Sequence, residues 1–486
     1  MKKLLSIILF LGGMVGTYGQ GVMSLEDCRR LAIENNKNLK IADEQINVAK
    51  AKKEDAFTKY LPGVDAMGTY MRNQKDVNLL SGDAHLPVGT IDPLTGQWTL
   101  RPDQVMIGGD GKPVMQNGKP VPKDYALLPQ DAMTVKDRNT ALLQVGLTQP
   151  IYMGGKIRAY NQLAGLSEKL AESGREEELQ GVIQQTDEAY WQIVSLVNRQ
   201  KLAVRFVGTL QKFEHDIEVT YQTGMATKAD LLSVKVKLNE AEMAMMRVND
   251  GLSLSRMVLN QLCGLAVDSV YTLKEELLNV QPMAPVKVLD LEQVYSNRPE
   301  ISRLTLATDI YRKKETIARS EYLPTVAFMA NYFAMTPSFF DGISTKLDGM
   351  WSVGIGVKAP LFHWGASRKS VRSARAETSV MNYRLEEARE KIELQVHQAN
   401  FKLKEAMQKL QIAEKNLEKA DENLKYANMG FQEGMIPVSN VLEAQTAWLS
   451  AHSDLIDTRI DLKLCEVYLQ KAYGVLGRDV IEKNNF

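Results

Sequence analysis

The sequence has few of the residues that catalysis and metal binding most often need. Its 486 residues include five histidines, which lie far apart at positions 85, 215, 363, 397 and 452. None has a carboxylate or cysteine partner at the spacing of a metal site or a nucleophile–base pair. The segment Met153-Gly154-Gly155-Lys156 lacks the remainder of a phosphate-binding P-loop. We therefore predict that the protein is not an enzyme and holds no metal or cofactor.

Cysteine and excess charge are also scarce. The three cysteines, Cys28, Cys263 and Cys465, are an odd number without paired spacing, so we predict neither a disulfide framework nor a zinc site. Lysine plus arginine and aspartate plus glutamate each number 59. This balance gives no indication of nucleic-acid binding, which usually requires a basic surface.

Long hydrophobic runs are missing everywhere except at the N-terminus. Lys2 and Lys3 precede an apolar run from Leu4 to Leu11, and a stretch rich in small residues follows up to Gly19. This pattern predicts a signal peptide over residues 1–19. No later segment is apolar for the about 20 residues that a transmembrane helix needs. We expect the mature chain either to be soluble outside the cytoplasm or to cross a membrane as β-strands, which also satisfy every backbone group in lipid.

What the sequence does contain is a match to itself. The segment Pro150–Arg158 matches Pro360–Arg368, and Tyr221–Met225 matches Phe431–Met435 at the same offset of about 210 residues. A constant offset over more than a hundred residues indicates a duplication of one structural unit.

The front parts of the two copies match at a larger offset, with Tyr60-Leu61-Pro62 corresponding to Tyr322-Leu323-Pro324. The difference between the offsets predicts an insertion in the first copy, an outer loop over about residues 71–135. We therefore predict two tandem structural repeats, residues 20–265 and 291–486, joined by a segment over residues 266–290.

Helical periodicity dominates the back half of each copy. From Val371 to Ala427, apolar or small residues recur in alternating steps of three and four, with one extra residue between Ile392 and Val396. This insertion is a stutter, which locally unwinds a coiled coil. The pattern predicts one helix of about 65 residues, about 100 Å long. Lys156–Tyr221 has a similar, less regular pattern, and helices of this length are expected to pack as coiled coils.

Alternating patterns predict four β-strands, two in each copy. These are Val64–Tyr70, Leu143–Thr148, Val326–Tyr332 and Trp351–Lys358. Large apolar residues fall on one face and small or polar residues on the other, as in a membrane β-barrel. An ordinary hairpin packed on a soluble core has the same local pattern. The smallest membrane barrels need about eight strands, so a barrel would need two or three chains.

These features resemble the TolC-like outer-membrane efflux family over nearly the whole mature chain. The resemblance is carried by the duplicated Pro-Ile-Tyr-Met-Gly-Gly and Pro-Leu-Phe-His-Trp-Gly segments that begin at Pro150 and Pro360, and by the duplicated turns at Gly224 and Gly434. It implies an α+β membrane protein, a homotrimer that shares one long α-helical coiled-coil barrel and one transmembrane β-barrel. The segment 266–290 would then form an equatorial belt.

The resemblance also implies the function. The chain would be the exit duct of a tripartite efflux system in the outer membrane of a Gram-negative cell. It would passively conduct substrates delivered by a periplasmic adaptor protein and an inner-membrane transporter. The alternative is a periplasmic adaptor or another coiled-coil structural protein of an export complex. Two helical hairpins and four membrane-like strands favour the duct, because an adaptor would have one hairpin.

Two sets of residues are candidates for the functional site. At the strand-to-helix junctions, the prolines should end the sheet ladder and the glycines should let the chain turn into a helix. This set is Pro150, Tyr152, Gly154, Gly155, Pro360, Phe362 and Gly365. Trp364 stands where the first copy has Gly154, which predicts that the second junction bends differently.

The second set lies at the far helix ends, where Gly224 and Gly434 should allow left-handed turns. By resemblance these turns are the periplasmic tips that contact the adaptor. The set comprises Gly224, Asp230, Leu231, Leu232, Gly434, Asn440, Val441 and Leu442. Alternatively, the apolar members only restart a coiled-coil seam, and Asp230 and Asn440 are helix N-caps.

The insertion at about 71–135 is rich in turn signals. Asp110-Gly111-Lys112-Pro113-Val114 is echoed by Asn117-Gly118-Lys119-Pro120-Val121, which predicts a small β-hairpin. Between two barrel strands the insertion would face the cell exterior, where it would either narrow the outer mouth or decorate the surface. The acidic residues do not have the spacing of an EF-hand calcium loop.

Overall fold

The computed structural model describes residues 22–136, 138–274, 290–342 and 344–477. The predicted signal peptide (1–19) lies outside this range, as does the larger part of the predicted inter-repeat segment. The chain divides into two compact units. The first comprises Met1–Ala56, Arg158–Ala318 and Arg368–Phe486, and the second comprises Phe57–Ile157 and Arg319–Ser367.

Helices form most of the first unit. In chain order the helices are α1 (Leu25–Asn35), α2 (Lys37–Thr58), α3 (Lys156–Gln222), α4 (Lys228–Cys263), α5 (Leu291–Asn297), α6 (Pro299–Ser320), α7 (Ala366–Gln432) and α8 (Val438–Ala472). None of the helices within the described ranges is both long and apolar enough to span a membrane.

The strands are mostly short, apart from four. In chain order they are β1 (Val22–Met23), β2 (Gly63–Arg72), β3 (Val77–Asn78), β4 (Ala84–Pro87), β5 (Thr90–Ile91), β6 (Trp98–Thr99), β7 (Met115–Gln116), β8 (Lys119–Pro120), β9 (Tyr125–Leu128), β10 (Thr134–Val135), β11 (Asn139–Met153), β12 (Thr272–Leu273), β13 (Thr325–Thr336) and β14 (Asp348–Lys358). Short 3-10 turns lie at Pro102–Gln104 and Gln130–Met133.

The two very long helices are present as predicted. α3 and α7 each contain 67 residues, which corresponds to about 100 Å. Their first residues lie about 210 positions apart and so do their last residues. α2 and α6 also have equal lengths of 22 residues. The helix bounds therefore recur at the offsets at which the sequence matches itself.

The stutter in α7 lies in a buried cluster. Ile392 and Val396 are both buried, in a cluster with Val294 of α5 and with Leu469 and Tyr473 at the end of α8. In a regular seam a step of four is followed by a step of three, whereas here two steps of four follow each other, which shifts Val396 round the helix and widens the buried face. The widened face of α7 contacts α5 and the end of α8.

A second core surrounds α1. Tyr190 and Trp191 of α3 pack with Cys28 of α1 and Cys263 of α4. Beside them, the buried Arg29 donates two hydrogen bonds to the carboxylate of Asp187, at 2.7 and 2.6 Å. Such a bidentate pair satisfies two charges that burial would otherwise destabilise.

Two strands of two residues each, β1 and β12, pack against this core. β1 and β12 are parallel, with Val22 opposite Thr272 and Met23 opposite Leu273. These strands could not be predicted from the sequence, because two residues are too few to show any periodicity. β12 lies in the predicted segment 266–290, of which residues 275–289 are outside the described ranges.

The second unit contains a four-stranded antiparallel sheet in the order β14-β13-β11-β2. The four predicted strands are thus confirmed, and they form one sheet. In β14 the side chains of Trp351, Val353, Ile355 and Val357 are exposed on one face. No residue of the described ranges covers this apolar face of β14.

Pro150 does not end the sheet as predicted. β11 continues through it to Met153, with Pro150 opposite Ala327 and a register shift before Tyr152. Only the pairing of β11 with β2 stops earlier, at Thr148. Because a proline lacks only its own N–H, a bulge at this place accommodates it and pairing on one side continues. Pro360 lies just beyond β14, which ends at Lys358.

Short antiparallel strand pairs form the insertion. β4 pairs with β9, β5 with β6, and β7 with β8. The turn between β7 and β8 is Asn117-Gly118, and both residues have positive φ (50° and 76°). Two consecutive positive φ values are the conformation of a type I′ hairpin turn, so the small hairpin predicted from the sequence is confirmed.

Candidate contact site at the helix turns

The turns after α3 and α7 have the same backbone geometry. Gly224 and Gly434 have φ values of 79° and 71°, which is the left-handed conformation predicted for them. The amide of Gly224 donates to the carbonyl of Tyr221 at 3.0 Å, and the amide of Met225 donates to that of Thr220 at 2.9 Å. This pair of bonds is a Schellman motif, which closes a helix end.

The second turn repeats these two bonds. The amide of Gly434 donates to the carbonyl of Phe431 at 2.9 Å, and the amide of Met435 donates to that of Gly430 at 2.8 Å. A residue with a Cβ atom is strained at these φ values although the space around both glycines is open. Glycine is therefore required at both positions because of the backbone conformation and not because of close packing.

The two helices that follow the turns begin differently. Thr227 caps α4: its Oγ1 accepts from the amide of Asp230 at 3.1 Å, and the Asp230 carboxylate accepts from the amide of Thr227 at 3.0 Å. α8 has Pro437 at the same place, without a side-chain cap. The alternative prediction that Asp230 and Asn440 are N-caps is therefore wrong. Each lies in the third position of its helix, and Asp230 completes a capping box from there.

The two turns share one hydrophobic cluster. Phe213 and Ile217 of α3 pack with Leu231 of α4 and Val441 of α8. The ring of Phe213 meets the ring of Phe431 edge to face at 5.6 Å, a favourable aromatic geometry. The structure thus brings the eight predicted turn residues to one end of the helical unit.

Not all of the predicted contact residues are accessible. Leu231 and Val441 are buried in the shared cluster, and Leu442 packs against it. Leu232 is 52% exposed. Of the four predicted apolar residues, Leu232 is therefore the one with most surface available to a partner, while the other three hold the two turns together.

Two exposed methionines were missed as candidates. Met225 and Met435 directly follow the glycines and are 82% and 74% exposed. Unbranched methionine side chains adapt to partner surfaces of different shape. The signal for them was in the sequence, because both belong to the duplicated turn segments.

A polar cluster lies further along α7 and α8. The Nε1 of Trp448 donates to Asp421 at 2.6 Å, and the Nε2 of His452 lies 3.8 Å from the same carboxylate. Burial lowers the pKa of His452, although the nearby Asp421 acts in the opposite direction. The neutral imidazole is therefore favoured at neutral pH, and this cluster joins the two helices without a persistent histidine charge.

The strand-to-helix junctions are more alike than predicted. In the first, Gly154 and Gly155 have φ values of 61° and 81°; in the second, Trp364 and Gly365 have 50° and 75°. The two turn residues do not bend differently, since Trp364 adopts the left-handed conformation of Gly154. The approach to the turn does differ, because β11 reaches Met153 whereas β14 already ends at Lys358. Its ring is 85% exposed and contacts the ring of Phe362 at 5.0 Å.

The first junction could not accept such a side chain. A Cβ atom on Gly154 would lie 2.9 Å from both the carbonyl oxygen of Ser320 and the Cβ of Leu323. Pro150 and Tyr152 precede this turn at the bulge, and Pro360 precedes the second one. Among the residues in the described ranges, no group of three or more histidine, cysteine, aspartate or glutamate side chains could hold a metal ion.

Comparison with known proteins gives a family match in the second half of the chain and one curated relative. Residues 291–475 match the family model described as outer membrane efflux protein. Protein CyaE of Bordetella pertussis is 24% identical over 270 residues, which are 54% of this chain and 55% of CyaE. The matched region thus spans about half the length of this curated relative.

Solved structures match over more of the chain. The outer membrane protein VceC of Vibrio cholerae superposes with a TM-score of 0.69 at 14% identity, covering 93% of this chain and 96% of VceC. The CmeC outer membrane channel of Campylobacter jejuni gives a TM-score of 0.69 at 15% identity, covering 95% of this chain and 89% of CmeC.

The fold is therefore that of outer-membrane channel proteins. The family model of outer membrane efflux proteins matches the second half of the chain, so the predicted resemblance to the TolC-like efflux family is confirmed. The proteins that it resembles are channels and not enzymes.

Proposed function

We propose that this protein is the outer-membrane exit duct of a tripartite efflux system and passively conducts substrates to the cell exterior. The observation that carries the proposal is the apolar face of the four-stranded sheet, whose large side chains are exposed in β14. In water such a face would be destabilising, whereas in a bilayer it would contact lipid. Secretion through the predicted signal peptide would bring the chain to the outer membrane.

The sheet has two free edges, which supports an assembly of several chains. Among the strands that the structure describes, β2 pairs only with β11 and β14 pairs only with β13. An uncapped edge of 10 or 11 residues is a template for pairing with another strand. Joining β14 of one chain to β2 of the next would remove the edges, and three chains would supply a closed barrel of twelve strands.

The helices support the second part of the assembly. We propose that the two tandem repeats each contribute one long and one shorter helix to a helical barrel shared by the three chains. The equal lengths of α3 and α7 and the identical turns at Gly224 and Gly434 support two repeats of one unit.

The turns would contact a periplasmic adaptor, which in turn binds an inner-membrane transporter. Leu232, Met225 and Met435 offer apolar surface there, and the Schellman turns hold it in a fixed position. An adaptor function for this chain itself is the weaker alternative, since it leaves the exposed sheet face unexplained.

Replacing the turn glycines tests the role of the turns. Gly224→Val and Gly434→Val each place a β-branched residue at a positive φ, which should displace the turn without unfolding the long helices. We expect reduced export and an intact trimer. Export is measured as removal of a fluorescent dye that the deletion strain accumulates, and assembly as the mass of the purified protein.

Gly208→Val is the matched control, because Gly208 lies inside α3 with an ordinary helical backbone and open space around it. Wild-type export by this control, with loss in the turn variants, is the expected result. Wild-type export by both turn variants would show that the turns have no part in coupling to the pump.

A further inference from the structure

The insertion contains an open groove of about 620 Å³ that the proposed channel function does not use. It lies between the β5–β6 hairpin, the β7–β8 hairpin and the first residue of β9. All of these elements belong to the second unit. The volume is within the range of small-molecule sites, which is about 300–1,000 Å³.

Backbone hydrogen bonds hold the walls of the groove. The amide of Met106 donates to the carbonyl of Val121 at 2.9 Å, and the amide of Lys123 donates to that of Gln104 at 2.7 Å. Pro122 lies between these bonds and Pro120 directly before them, and their ring-fixed φ angles restrict the chain further. A wall that is ordered before binding lowers the entropic cost of taking up a ligand.

Two aromatic rings line the groove. Trp98 lies directly on the backbone of Gly89, where an added Cβ atom would be 2.4 Å from the indole ring. The ring is therefore held by one neighbour while the residue stays 49% exposed. Tyr125, which is 47% exposed, is braced by the ring of His85 in an edge-to-face contact at 6.4 Å.

Two polar side chains face each other at the second hairpin. Gln116 and Lys119 are directly opposite in the β7–β8 pair, on either side of the Asn117-Gly118 turn. Both line the groove, and neither makes a side-chain hydrogen bond or ion pair within the described part of the chain. Lys119 is the one charged residue among the described lining residues.

We propose that this groove binds an acidic oligosaccharide. The apolar faces of the sugar rings would stack on Trp98 and Tyr125, which present flat, pre-positioned surfaces. The amide of Gln116 would donate to and accept from sugar hydroxyls, and Lys119 would pair with a carboxylate on the sugar. A purely apolar ligand would make no use of the exposed polar groups of Gln116 and Lys119.

A proline-rich peptide is the competing ligand, because aromatic grooves also bind extended proline-rich segments. The single positive charge of the groove favours an anionic ligand over a neutral peptide or sugar. This proposal is independent of the channel function, since it concerns only the insertion and is read out by binding.

Calorimetric titration of the full-length protein tests the site, in a detergent without a sugar headgroup so that no detergent competes. The probes are trigalacturonic acid, neutral maltotriose and octaproline. We expect the acidic trisaccharide to bind more tightly than the other two. Trp98→Ala should weaken its binding at least tenfold, and Lys119→Gln should weaken it about fivefold.

Two matched controls come from the same insertion. Lys112 occupies the equivalent place in the echoed segment and is not in the lining, so Lys112→Gln should bind like wild type. Ile91 is opposite Trp98 in the β5–β6 pair, and Ile91→Ala should also leave binding unchanged. Trp98→Phe, which keeps an aromatic face, should retain part of the affinity and shows that the insertion is folded.

Three outcomes would overturn the proposal. One is the absence of binding of trigalacturonic acid up to about 10 mM. Another is equal affinity for one of the other two probes. Equal affinity for maltotriose would show that the charge has no role, and equal affinity for octaproline would show that the sugar has none. The third is an equal loss of affinity in Lys112→Gln and Lys119→Gln, which would indicate general attraction of an anion to the insertion.

Discussion

At the scale of single residues, the two strand-to-helix junctions reach one conformation with different residues. Gly154 and Trp364 both have a positive φ. Gly154 is confined by Ser320 and Leu323, whereas the ring of Trp364 extends into open space beside Phe362. A glycine is therefore required in the first junction for steric reasons, and the second tolerates a strained tryptophan.

The difference can be measured by comparing neighbouring glycines. Gly154→Ala combines a strained φ with two close contacts, and we expect it to cost roughly 2–4 kcal/mol of unfolding free energy. Gly155→Ala has a φ of 81° but nothing within 4 Å, so only the backbone strain of about 1 kcal/mol remains. Thermal unfolding of the purified variants gives the comparison, and equal losses would show that the contacts at Gly154 relax freely.

Residue-level predictions from the sequence succeeded where the backbone alone decided them. A glycine repeated at a helix end predicts a left-handed turn, and both turns have it. The cap of α4 was misplaced because Thr227, three residues before Asp230, was not recognised as the first member of a capping box. Whether a given leucine faces a partner or the core depends on neighbouring helices, which is why Leu231 and Leu232 could not be separated.

At the scale of elements, the two helical hairpins begin their second helices in different ways. α4 has the Thr227–Asp230 capping box and α8 starts after Pro437 without a side-chain cap. The first turn of α4 is therefore held by bonds that α8 lacks, although both pack on the same cluster around Phe213.

Removing the cap should loosen only one of the two hairpins. Thr227→Ala should lower the local stability of the first turn of α4 by about 1 kcal/mol, seen as faster amide hydrogen exchange there and not at the start of α8. Ser233→Ala is the control, because Ser233 is exposed within α4 and bonds only to the carbonyl of Ala229. Unchanged exchange in Thr227→Ala would mean that packing alone holds this turn.

The long elements were predictable and the short ones were not. The regular seam of α7 and the similar, less regular one of α3 were long enough to predict both helices, and alternation over six to eight residues was enough to predict the four sheet strands. The two-residue strands of the insertion and the β1–β12 pair carry no periodicity of their own. Their positions are set by tertiary contacts. Among them, only the hairpin at the Asn117-Gly118 turn could be predicted from the sequence.

At the scale of the whole molecule, we propose that a single chain is incomplete and needs further copies of itself and lipid around its sheet. The sheet has two free edges and an exposed apolar face, including Trp351 and Ile355. Association through the edges and contact of the face with lipid would satisfy both features. The same residues in a soluble monomer would promote aggregation.

The most direct test is the single-channel conductance of the detergent-purified protein in planar bilayers, with the oligomer mass measured on the same sample. We expect a trimer that inserts and opens discrete pores of low conductance. A protein that stays soluble without detergent, never enters the bilayer and passes no current would contradict it, and would favour a periplasmic adaptor or structural protein.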